Sequence, residues 1–161
     1  KRLTDEVELL WDLGYVVVAA AGNNGPGANS ISTPGDCKKI ITVGADNDNV
    51  KVFVNGKYTY NYSGRGPTKQ CIIKPDIVAP ANKIISCSNL WQKGYSYVVK
   101  SGTSMATPIV TGIIALMLNK KEKLTNVECK KILKENAIDM SMDKNRQGAG
   151  LVNANAILNI L

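Results

Sequence analysis

Tyr97-Val98-Val99-Lys100-Ser101-Gly102-Thr103-Ser104-Met105-Ala106-Thr107-Pro108, running on into Ile109 to Lys120, changes character twice within a few turns. An apolar extended run gives way to Gly-Thr-Ser, and then to a long helical pattern. Ile109, Gly112, Ile113, Ala115, Leu116 and Met117 recur at helical spacing, broad enough for a helix buried on most sides. Ser104 is therefore expected in the first turn of that helix. Unpaired N–H groups and the positive end of the dipole favour developing negative charge there. Capping is the ordinary account of a Ser at a helix start. Here Gly102 and Ala106 are small and leave the hydroxyl open to approach, so a nucleophile is the alternative.

Outward from this stretch, the chain alternates helices with buried strands, which is the rhythm of an α/β fold with a parallel sheet flanked by helices. Leu3 to Gly14 reads as a helix with Thr4 as N-cap, Asp5 and Glu6 in its first turn, and a buried stripe of Leu3, Val7, Leu10 and Trp11. Tyr15 to Ala21 is a continuous apolar run, as expected of a strand covered on both faces. Ile40 to Ala45 is a second such strand. Val52 to Tyr60 alternates around Asn55-Gly56, the signal of a hairpin, placed here on the surface as an insertion. Thr125 and Glu128 form a capping box that opens a helix to about Asn136, and Asn153 caps a last helix over 154–161.

Gly22-Asn23-Asn24-Gly25 follows the first strand directly. Ligands bind at such strand ends in parallel sheets, although Asn alone is more often a turn residue. Taken together, Gly102 to Pro108 resembles the nucleophile signature of the subtilisin-like serine proteases. Ala20-Ala21-Gly22-Asn23-Asn24-Gly25 resembles that family's oxyanion signature. Ala106 stands where the second Gly of an α/β-hydrolase elbow would be, which sets that class aside. Ser32-Thr33-Pro34-Gly35, Tyr62 to Pro67, Lys74 to Pro80 and Gly148 to Ala154 are similar to further family segments, and all occur in family order. The related sedolisins place an Asp in the oxyanion role, so Asn23 points to subtilisin proper.

The resemblance implies a serine endopeptidase acting on peptide or protein substrates. Ser104 would be the nucleophile and Asn23 the oxyanion donor. Ala20, Ala21, Gly22, Asn24, Ser32 and Thr33 would border an uncharged specificity pocket, with Thr33–Pro34 a cis bond. The family's Asp and His precede the Asn23 signature, so residues 1–161 correspond to the C-terminal half of a catalytic domain. That half alone is expected to be inactive, with the missing N-terminal half or another chain as partner. A non-catalytic, regulatory relative is the alternative. The resemblance also implies a structural calcium and a secreted or cell-surface bacterial location.

Composition narrows the field. The 161 residues are 44% hydrophobic, enough for one core, and no apolar run approaches a membrane span. The net charge of +7 gathers in 120–134, where a solvated helix face is a better account than a nucleic-acid surface. There is no His and no Cys-x-x-Cys pair, which argues against a zinc site. Cys37, Cys71, Cys87 and Cys129 are equally consistent with paired cysteines or four buried thiols. Ile109 replaces the His that usually follows the Pro of the Ser motif. Lys100 abuts that motif, but a Ser–Lys arrangement is the weaker reading.

Overall fold

The structure is a computed structural model that describes residues 2–161 except Asn55 and Tyr95, with the side chains of Val54 and Trp91 left aside. Its centre is a parallel three-stranded sheet of β1 (Val18–Ala20), β2 (Ile41–Ala45) and β5 (Ile77–Ala79), in the order β1-β2-β5. The register sets Val18 opposite Ile41 and Val43 opposite Ile77. All five residues of β2 are buried, because it is paired on both sides and covered on both faces. Leu151 extends the sheet by a parallel bridge to Val78.

Helix α2 (Thr103–Lys120) lies across this sheet and buries Ala106, Val110, Ile113, Ile114 and Met117. Its other side is open, contrary to expectation: Gly112, Ala115 and Leu116 face solvent. The composition of α2 is apolar on more faces than this chain covers. Helix α1 (Leu3–Asp12) departs in the same way. It buries Val7 and Trp11, while Leu3 and Leu10 of the expected stripe are exposed, as are Leu9 and Leu13. Its N-cap is Arg2 rather than Thr4, because the Asp5 carboxylate accepts the Arg2 N–H at 3.2 Å.

The first strand is shorter than the apolar run of 15–21. β1 pairs with β2 alone, so its other edge carries no partner among the described residues. Tyr15 is exposed and only 18–20 are strand. Two antiparallel ribbons stand outside the sheet. β3 (Val52–Val54) and β4 (Lys57–Thr59) form the expected surface hairpin, whose Asn55 lies outside the described residues. β6 (Ile84–Cys87) and β7 (Tyr97–Lys100) form a second ribbon that leads into α2.

Helix α3 (Asn126–Glu135) begins with the expected capping box: Thr125 accepts from the Glu128 N–H, and Glu128 accepts from the Thr125 N–H at 2.8 Å. The short α4 (Lys144–Gln147) has no counterpart in the sequence reading. α5 (Ala154–Ile160) is capped by Asn153 as expected. The four cysteines are free, with Cys37 and Cys129 buried but Cys71 and Cys87 exposed, so neither four buried thiols nor two disulfides is found. The Thr33–Pro34 bond is cis, as are Gly25–Pro26, Gly66–Pro67 and Lys74–Pro75.

Two buried charge clusters hold the loops against the sheet. The Lys74 ammonium donates to Ile40 O, Thr42 Oγ1 and Asp76 Oδ2 at 2.9, 2.8 and 2.6 Å. Lys130 of α3 reaches the other Asp76 oxygen at 3.1 Å. Burial pushes Lys74 down to about 8, against the pull of Asp76. Asp48, fully buried, accepts from Arg65 at 3.1 Å and from Arg146 at 2.8 Å, tying the loop after β2 to α4.

Candidate active site

Ser104 is the second residue of α2 and is exposed. The turn before it depends on Gly102, whose φ of 137° is a conformation that L side chains rarely adopt. Gly102 is held from behind, its N–H donating to Ala81 O at 2.9 Å. Buried Tyr62 donates to Asn82 Oδ1 at 2.7 Å, next in sequence to Ala81. Burial, then the charges of Asp48 and Asp46, raise the Tyr62 phenol above its ordinary value.

Asn23 belongs to the loop after β1, 80 residues away in sequence from the helix it meets. Its Oδ1 accepts both the Thr103 N–H at 3.0 Å and the Thr103 hydroxyl at 3.1 Å. With the oxygen bound twice, the amide orientation is set, and Nδ2 is left as a donor with no acceptor among the described residues. The first turn of α2 shows the same selectivity. The Thr103 N–H goes to Asn23 and the Met105 N–H goes to Gly102 O at 2.9 Å, while the Ser104 N–H has no acceptor among the described residues. The first turn of α2 thus carries a free backbone donor at Ser104 itself, and the Asn23 amide held against Thr103 offers a second, at the end of a helix whose dipole favours an anion.

The pocket candidates divide. Ala20 lines an apolar groove of about 370 Å³ together with Ser104, Val18, Thr107 and Pro108. Ala21 is fully buried and accepts the Ser32 N–H at 2.9 Å, which joins the two loop segments. The Asn24 amide donates to Ser32 Oγ at 3.0 Å across that junction. Gly22, with φ 89°, stands where a Cβ would come within 2.1 Å of Ser32 Oγ, so the approach requires glycine. Thr33 turns away, donating to Asp36 at 2.9 Å and lining a separate cavity beside α1.

Thr103, which in the sequence reads no further than a helix cap beside Ser104, is the residue that orients Asn23. Its position beside Ser104 was the available signal, but a neighbouring Thr reads as a cap until its partner is seen. Among the described residues no three His, Cys, Asp or Glu side chains converge as metal ligands, so the calcium implied by the resemblance has no side-chain cage here. No helix of the described residues is long and apolar enough to cross a membrane.

The model of the subtilase family, peptidase S8, matches residues 5–150. The chain belongs to the subtilase family. The subtilase chain is 44% identical over 164 residues to serine protease AprX of Bacillus subtilis (strain 168), covering 94% of this chain and 37% of AprX. It is 37% identical over 143 residues to subtilisin Savinase of Lederbergia lenta, covering 89% of this chain and 46% of that protein. Among solved structures, Sphericase superposes with a TM-score of 0.75 at 30% identity, over 93% of this chain and 51% of its own. The subtilase chain thus spans about half or less of each of these relatives.

Proposed function

We propose that these residues are the C-terminal half of a subtilase catalytic domain and that the whole domain is a serine endopeptidase. The observation that carries this is the Asn23–Thr103 pair: it binds the Asn23 amide to the residue before Ser104 and leaves Asn23 Nδ2 and the Ser104 N–H as donors with no acceptor among the described residues. Ser104 Oγ attacks the peptide carbonyl carbon and its proton passes to a base. The carbonyl oxygen becomes an anion, held by the two N–H donors. Collapse breaks the C–N bond, the amine takes the proton, and water releases the acyl group from Ser104 by the reverse sequence.

The base comes from outside residues 1–161, which contain no His. An upstream half supplying His and Asp completes the triad, covering the free edge of β1 and the groove beside Ser104. The substrate is a peptide or protein, and the uncharged pocket suits apolar or broad side-chain specificity. A secreted or cell-surface bacterial location rests on the family resemblance alone. The test is steady-state hydrolysis of a chromogenic peptide by the full-length protein and its Ser104→Ala variant. The activity is expected to fall to background in the variant. A folded wild-type protein that binds peptides but does not cleave them would make this a non-catalytic subtilase instead.

A further inference from the structure

Charge is distributed unevenly about the candidate site. Residues 13–35, which carry Asn23 and every pocket candidate, contain no charged side chain. Residues 77–121, which carry the ribbon and α2, contain no carboxylate, but they hold Lys83, Lys93 and Lys100 on or beside the ribbon that leads to Ser104. The ion pairs among the described residues lie elsewhere, at Asp12, Asp48, Asp76, Glu135 and Asp139, and none involves these three lysines.

The ribbon places two of them close to the nucleophile turn. Lys100 ends β7 directly opposite Ile84, and the Lys83 N–H donates to Ser101 Oγ at 3.0 Å, so both lysines flank the step into Gly102. Cross-strand partners share a face. On the Lys100 face Ile84 and Val98 are half-buried and Ser86 is exposed, whereas Ile85, Cys87, Tyr97 and Val99 on the other face are all exposed. Lys100 therefore springs from the face turned toward the domain, four residues before Ser104, with its own side chain exposed.

We propose that the Lys83–Lys100 end of the ribbon selects peptide substrates with Asp or Glu close to the scissile bond, and that Lys100 is the specificity-determining residue. An incoming carboxylate meets ammonium groups there that make no ion pair among the described residues, with Asp46, beside Asn82 in a neighbouring cavity, the acid to compete with. The inference rests on Ser104 being the nucleophile. An exposed pair is worth a few-fold in affinity and is screened once the Debye length contracts with salt.

The test uses the full-length protein and pairs of fluorogenic peptides that differ only by Glu or Lys, placed in turn at each of the positions flanking the scissile bond. The ratio of kcat/KM within each pair is read for wild type and Lys100→Glu, and overall activity cancels in that ratio. In wild type at about 0.02 M salt, Glu should be favoured by about three- to fivefold in at least one position, and the ratio should approach unity at about 0.5 M. In Lys100→Glu the ratio should fall to unity or invert. A parallel arm measures binding of the same pairs to Ser104→Ala by fluorescence anisotropy. If hydrolysis is absent but this binding shows the charge preference, the nucleophile reading fails and the selectivity stands. No preference in binding, or a preference that Lys100→Glu leaves intact, overturns the proposal.

Discussion

Asn23 would be a turn residue in most proteins, and its two contacts with Thr103 are what separate it from one. If Nδ2 binds the oxyanion more tightly than the ground-state carbonyl, Asn23→Leu in the full-length enzyme should lower kcat and leave KM nearly level. The expected fall is about 100- to 1,000-fold, the size found for an oxyanion asparagine in a subtilisin. Thr103→Val removes the hydroxyl donor but keeps the N–H, so kcat should fall only about 2- to 10-fold, again without a matching change in KM. Rescue by Thr103→Ser would identify the hydroxyl as the orienting group. Equal losses in kcat and in thermal stability, unrelieved by Ser, would make Thr103 merely structural. Lys74 shows how little of a residue's setting is legible locally: a lysine beside a proline reads as surface, yet this one is fully buried against Asp76. Its partners, Ile40 and Thr42, are more than thirty residues away in sequence. Lys74 titrates near 8 when folded and at its ordinary 10.5 when unfolded, so between these values the unfolded chain holds more protons and stability rises with pH. Below about 8 both states are protonated and the site contributes no slope. Urea unfolding of wild type and Lys74→Met at pH values of about 8 and about 10 should show this upward contribution in wild type alone. The variant should also be less stable by about 3–5 kcal/mol at the lower pH, because Asp76 loses a buried partner. A wild-type-minus-variant difference that does not change with pH would refute the assignment.

The elements best read from sequence are those with local signals. The capping box at Thr125 and Glu128, the Asn153 cap and the β2 run each depend on neighbours within a few residues, and each is found. Thr125→Ala should cost about 1 kcal/mol, visible as a lower urea midpoint with an unchanged slope. The helix α4 is only four residues long, too short for a periodic signal, and is fixed by Arg146 on Asp48 and by its own Asp143 cap. The exposed sides of α1 and α2 departed from expectation for a common reason. Leu3, Leu10 and Leu116 satisfy helical periodicity, but periodicity reports an apolar face and not what covers it. The Gly102 to Pro108 and Ala20 to Gly25 strings were legible because their geometry is demanding: a positive φ at Gly102 and a close approach at Gly22 restrict those positions to glycine.

At the scale of the molecule, the open surfaces lie at the β1 end of the sheet. β1 has an edge with no partner among the described residues, α2 opens an apolar groove beside it, and Leu3, Leu9 and Leu10 of α1 are exposed, as is Leu13 just after it. A chain of these 161 residues alone should associate through that surface, with a sedimentation coefficient that rises with concentration, and should not hydrolyse peptides. A monodisperse, inactive chain would keep the catalytic account and remove the half-domain one. The account as a whole turns on Ser104 being an activated nucleophile in the complete protein. A fluorophosphonate tests this directly, because an activated hydroxyl displaces fluoride and leaves a stable phosphonyl ester whose added mass marks the site. After treatment of the native full-length protein, peptide mass spectrometry should find one adduct, on the peptide containing Ser104, and none after prior heat denaturation. An unmodified Ser104 in native protein, or an adduct on another residue instead, would contradict the account.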